Sequence, residues 1–176
     1  MGIGPLGVSP SEIVGKVLKR ISRSSTHPTV TFYFTDNTTY QVRVDGYNPM
    51  YPGIPKEIET DPGFGPILQQ LEGAGPSSTT YTISHAKMVT LRDRAYELGK
   101  KESRWDQQHE AVAFKFAEEG RWHCIWVSLA EYERNSQRCI FRNFDDVYLD
   151  KLDRPSKKRR PGSRGGRLGG NQRWNQ

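Results

Sequence analysis

Apolar and polar positions alternate with the two-residue period of a β-strand over much of the chain, and helical periodicity is confined to short stretches. Thr29 to Thr35 and Thr39 to Asp45 are β-branched and aromatic runs around Asp36-Asn37-Thr38, which predicts a hairpin. In its second strand Tyr40, Val42 and Val44 share one face and Gln41, Arg43 and Asp45 the other, as expected for a sheet with one solvated side. Upstream, residues 1–8 are glycine-rich and expected to be flexible. Ser9-Pro10-Ser11-Glu12 then has the spacing of a capping box with proline at the first helical position. Ile13, Val17 and Ile21 recur every four residues but Gly15 interrupts them, so the pattern favours one helical turn followed by a strand from Val17 to Arg23.

Residues 46–78 change character, with six prolines and six glycines around Ile67, Leu68 and Leu71. They read as a long connection holding one short helix, and connections of that length often carry function. Thr79 to Ser84 is β-prone. Lys87 to Leu98 fits a strand through Val89 and Leu91, or a helix through Leu91, Ala95 and Leu98; the strand is preferred. The charged stretch Gly99 to Gln108 reads as a loop. Ala111 to Phe116 and Trp122 to Leu129 flank Glu118-Glu119-Gly120-Arg121, the signature of a second hairpin. Its second strand is apolar on both faces, which suggests a central position, with Trp122 and Trp126 as structural side chains. Arg138 to Phe144 is a last strand, and Asp145 to Leu152 reads as a closing helix with acidic residues at its amino end. The expected fold is therefore mainly β: an antiparallel barrel or two-layer sheet of six to eight strands with two or three short helices. It spans residues 9–152 and precedes a disordered basic C-terminal tail over 153–176.

The net charge of +6 changes this picture only once it is divided. Eight of the 26 cationic side chains and none of the 20 acidic ones follow Asp153, so the tail carries +8 and residues 1–153 carry −2. Lys157, Lys158, Arg159 and Arg160 form a basic cluster of the kind read by nuclear import receptors. Arg164-Gly165-Gly166 and Arg167-Leu168-Gly169-Gly170 are a degenerate form of the Arg-Gly-Gly segments that contact RNA, and Arg173 completes the set. Such a composition buries too little apolar surface to offset its ordering entropy until an anionic partner meets it. In the body, Trp105 beside Arg104 in a polar run is the natural rival contact for nucleic acid. Tyr33, Tyr40, Tyr96, Trp122 and Trp126 are read as core and cross-strand residues before base-stacking ones.

Catalytic signatures are sparse. His27, His85, His109 and His123 are isolated in sequence and lack metal-ligand spacing; His109 and His123 with Glu110 would be the least apparatus for a hydrolase or nuclease. Asp93, Glu97, Glu110 and Lys115 do not form the compact Glu-x-Lys element of restriction-type nucleases. Cys124 and Cys139 are read as reduced thiols, no cofactor or metal is expected, and no Gly-x-Ser-x-Gly or phosphate-binding loop occurs. No signal-peptide-like start is present, and the apolar runs fall well short of the roughly 18 residues of a membrane span. These features point to an intracellular, nuclear, non-enzymatic binding module without a membrane partner. Its β body would recognise a protein and its tail nucleic acid or an acidic partner. A protein-interaction domain with an import-only tail is the alternative, and a hydrolase or nuclease ranks below both.

Overall fold

The computed structural model describes residues 6–73, 79–99 and 101–153. Among these residues, nine strands form two antiparallel sheets. The first is four-stranded, in the order β1 (Leu18–Arg23), β2 (Val30–Phe34), β3 (Thr39–Val44), β9 (Val147–Leu152). The second is five-stranded, in the order β4 (Lys56–Thr60), β7 (Trp122–Tyr132), β6 (Ser103–Phe116), β5 (Ile83–Glu97), β8 (Cys139–Asp145). The expectation of a mainly β fold in two layers holds. A 3-10 turn at Pro10–Ile13, a second at Pro62–Phe64 and the helix α1 (Gly65–Glu72) are the short helical elements. Among the described residues no helix is long and apolar enough to cross a membrane.

The sheets face each other across an aromatic core. Phe32 of β2 meets Phe114 of β6 edge to face at 5.7 Å, and Phe64, from the turn before α1, meets the same ring at 5.2 Å. Ile21, Val42, Leu149, Ile125 and Val127 are buried around them, and Ile67, Leu68 and Leu71 of α1 join the cluster. The anticipated β2–β3 hairpin is present, with Tyr40, Val42 and Val44 all buried. Its turn is held by the Asp36 carboxylate, which accepts from the Thr38 amide at 3.0 Å and pairs with the Lys16 ammonium. Asn37 sits at φ +68° beside it, a conformation asparagine tolerates better than most residues. Ahead of β1, Ser9 caps the first 3-10 turn, but the Glu12 carboxylate accepts from the Tyr40 hydroxyl at 3.4 Å, leaving the capping box one-sided. The Val8 amide bonds the Leu149 carbonyl at 2.8 Å, and Gly7 lies so close to that carbonyl that a side chain there would collide with it.

Four expectations are corrected. Gly99 to Gln108 is not all loop: β6 starts at Ser103 and pairs residue for residue with β5 as far as Glu97↔Ser103. Polar residues suit that stretch because this hairpin outgrows the core, so pairing rather than burial makes the strand. Asp145 to Leu152 is not a helix but strand β9, with Val147 and Leu149 buried and the full register against β3 from Thr39↔Leu152 to Val44↔Val147. Within 46–78 the strand β4 was missed because Lys-Glu-Ile-Glu-Thr shows a single apolar residue; it exists by pairing with β7. Trp122 is not a core residue: it is 44% exposed, whereas Trp126 is half-buried and donates its indole N–H to Glu59 at 2.7 Å.

The second sheet closes on itself through β8, which pairs with β7 along most of its length and with the end of β5 at Tyr96↔Arg142. β6 and β7 are paired only from Val112↔Ile125 to Lys115↔Trp122, and β8 occupies the fork where they part. Side chains complete the missing ladder. The Gln107 carboxamide donates to the Phe144 carbonyl at 2.7 Å and accepts from its amide at 3.0 Å, while Asp146 accepts from the Glu110 amide at 2.7 Å. Buried positions in this region are mostly small: Ala95, Ala111, Ser128 and Ala130. Small side chains allow strands to approach where a sheet curls into a narrow closure.

The Lys16 ammonium, followed by the Thr38 hydroxyl, lowers the Asp36 carboxyl to about 2 from its usual 3.8. A depressed carboxyl stabilises the fold while ionised, so its contribution is complete above pH 4 and disappears as the pH falls through about 2. Because the side chain is 46% exposed, screening holds that contribution to about 0.2–1 kcal/mol. Asp36→Asn should therefore lower the thermal midpoint at neutral pH by a few degrees, and the difference from wild type should vanish near pH 2.

Candidate functional site

Two histidines that look isolated in sequence are each joined to carboxylates by the fold. His123, on β7, has a fully buried side chain. Its Nδ1 lies 3.0 Å from Asp61 and its Nε2 2.5 Å from Glu119, and Asp61 also accepts from the Cys124 amide at 2.9 Å. Both ring nitrogens face carboxylate oxygens, so the three side chains must hold two protons between them to satisfy both contacts. The network ties the β4–α1 corner to the β6–β7 turn, and Phe64, Phe114 and Phe116 pack around the ring. His109 on β6 is 2% exposed, lies 2.6 Å from Asp93 through Nε2 and stacks on Phe144 at 4.5 Å. Its Nδ1 is buried without a hydrogen-bond partner among the described residues. Each imidazole thus joins its strand to a neighbouring strand or turn.

Cys124 and Cys139 are free thiols, as expected. Burial, and then the Asp61 carboxylate, push the Cys124 thiol up to about 11, which leaves little nucleophilic thiolate near neutral pH. Among the described residues no group of three or more His, Cys, Asp or Glu side chains is placed to hold a metal ion.

The concave surface lies beside α1 and the β1–β2 turn. α1 covers part of the gap beside β1, and Arg23 anchors it there through Glu72 at 3.0 Å. Beyond it a groove of about 370 Å³ runs between the β1–β2 turn (Ser24 to Thr29) and the segment from Pro52 to Ile58. A second groove of about 490 Å³ adjoins it on the outer face of the first sheet, among Thr31, Gln41, Arg43 and Tyr148. Tyr47 and His27 border both, with His27 Nδ1 3.0 Å from the Tyr47 hydroxyl.

One wall of the first groove is a strand edge that no described strand pairs. β4 is terminal in its sheet. Ala130 donates to the Pro55 carbonyl and Asp61 to the Cys124 carbonyl, so the odd-numbered residues of β4 aim their backbone groups at β7. By alternation Lys56, Ile58 and Thr60 aim theirs outward. Lysine on an edge strand commonly wards off another chain, but Lys56 is folded inward: its side chain is 11% exposed, 3.5 Å from Asp145 and 5.3 Å from the Tyr47 ring centre. Ile54, which lines the groove, is 38% exposed, and Met50 and Tyr51 on the same connection are 78% and 81% exposed. The proline-rich connection thus contributes to a surface, and the signal for it was the connection's length together with its prolines and glycines; its apolar cluster Ile67, Leu68 and Leu71 is buried in the core.

Arg104 and Trp105 are consecutive residues of β6, opposite Tyr96 and Ala95, so their side chains leave opposite faces of the strand. Trp105 is 37% exposed. Lys157, Lys158, Arg159, Arg160, Arg164, Arg167 and Arg173 lie outside the described residues. No protein-family model matches the chain, and no curated protein or solved structure matches it either.

The raised Cys124 pKa has a kinetic signature. A rise from 9.0 to about 11 cuts the thiolate fraction at pH 8 by roughly a hundredfold, and the greater nucleophilicity of the more basic thiolate restores about tenfold. In a Cys139→Ser variant, iodoacetamide should alkylate Cys124 about tenfold or more slowly in the native protein than in denaturant.

Proposed function

We propose that this chain is a non-enzymatic nuclear binding module. Its β body takes an extended segment of a protein partner along β4, and its basic tail contacts nucleic acid or an acidic partner. The observation that carries the reading is the edge of β4, unpaired among the described residues, facing a groove. Backbone groups of Lys56, Ile58 and Thr60 supply the hydrogen bonds an added strand needs, and Ile54, exposed in the wall of the groove, supplies apolar contact beside them. The buried positions of His109 and His123 support binding over hydrolysis, since a general base must reach its substrate. The charge division supports the tail's part: a body of −2 followed by a segment of +8 concentrates attraction for phosphates in that segment. The cluster Lys157 to Arg160 adds the means of nuclear entry.

Peptides selected from a library against the full chain should quench amide exchange at Ile58 and Thr60. Ile58→Pro, which removes an outward N–H, should weaken them at least about tenfold with the thermal transition retained. Selected peptides that protect other strands would contradict the edge. For the tail, duplex DNA binding should show a log–log salt slope of at most about seven, and replacing Lys157, Lys158, Arg159 and Arg160 with alanine should roughly halve it. An unchanged slope with lost nuclear accumulation would assign the tail to import alone.

A further inference from the structure

The register of β5, β6 and β7 places His85, Lys115 and Trp122 in one row across three neighbouring strands, on one face of the sheet. The adjacent row is Lys87, Ala113 and Cys124. With only a methyl group at Ala113, nothing stands between Lys87 and the indole, and the Lys87 ammonium sits 4.7 Å from the Trp122 ring centre. The His85 ring lies 5.8 Å from the same indole, and Trp122 remains 44% exposed.

The carboxylates nearest in sequence are committed elsewhere. Glu118 accepts the Thr82 amide at 2.7 Å, and Glu119 holds His123 while Arg121 approaches it at 3.8 Å. Lys87 and Lys115 form no ion pair among the described residues. Within a body whose net charge is −2, this end of the sheet gathers two lysines around a half-exposed indole that Lys87 covers on one face.

We propose that the Trp122 surface is a stacking platform for single-stranded nucleic acid, with Lys87 and Lys115 as its phosphate contacts. Two ammonium groups without an ion pair among the described residues would attract any polyanion, but the indole adds a partner only for a flat ring. Three strands at about 4.8 Å spacing give a shallow strip roughly 10 Å wide, suited to an unstacked strand whose bases are free to turn onto the indole. In a duplex those base faces are already stacked, so the tryptophan gains nothing there. This contact lies in the folded body and is separate from the tail's.

The test uses the full chain with a fluorescein-labelled oligothymidylate of about fifteen nucleotides, a duplex of the same length and polyglutamate as competitor. Trp122→Ala should weaken the single strand about tenfold or more and leave the duplex within about twofold, and Trp122→Phe should recover most of the loss. Lys87→Gln with Lys115→Gln should lower the single-strand salt slope by about 1.4. Both effects should persist when Lys157, Lys158, Arg159 and Arg160 are replaced by alanine, which separates this contact from the tail. Unchanged single-strand affinity in Trp122→Ala, or equal losses for single strand and duplex, would overturn the proposal. Polyglutamate displacing the oligonucleotide through the same residues would overturn it in favour of an acidic protein.

Discussion

Pairing of β6 with β5 on one edge and β7 on the other is the constraint on which the rest of the molecule depends. A strand has two faces, and both faces of β6 are used. Val112, Phe114 and Phe116 enter the core between the sheets, while His109, Ala111, Ala113 and Lys115 line the opposite side. A slip of one residue would bury Lys115 and expose Phe114, so the aromatic core enforces the register that sets Lys115 between His85 and Trp122. The arrangement of the surface follows from the packing of the interior.

The same strand explains how the second sheet closes. Beyond Val112 the core ends, β6 parts from β7, and the fork admits β8. Backbone groups left without a neighbouring strand would cost stability if buried, and Gln107 and Asp146 supply side-chain substitutes for the ladder. At the other side of the sheet, among the described residues, no such substitute reaches β4. The contrast gives the β4 edge its meaning: one exposed edge is filled from within the chain and the other faces a groove.

Much of the fold was legible where side chains face a core from a period-two strand. The β2–β3 and β6–β7 hairpins follow directly from Tyr40, Val42, Val44 and from Phe114, Phe116 and Ile125. Legibility failed where partners rather than burial make the strand, as in Lys56 to Thr60 and Ser103 to Gln108, because polar residues carry no periodic signal. Asp145-Asp146 ahead of Val147 imitated a helix start, whereas Asp146 bonds the Glu110 amide and β9 pairs with β3. The histidine networks were invisible for a different reason: Asp61 stands 62 residues from His123 and Asp93 sixteen from His109, and only the fold brings them together. Trp122 misled because its alternation with Cys124 and Trp126 gives the face but not whether anything covers its end.

The register of β6 against β7 is open to a direct covalent measurement, since Ala113 lies opposite the native Cys124. Facing residues of antiparallel strands have Cα atoms about 4.5–5.5 Å apart, within the range a disulfide spans. In a Cys139→Ser background, Ala113→Cys should form an intramolecular disulfide with Cys124 under mild oxidation, leaving no free thiol by titration, while Ala111→Cys should leave both thiols free. Cross-linking through position 111 with position 113 free would contradict the register, and with it the shared origin of the core and the Trp122 surface.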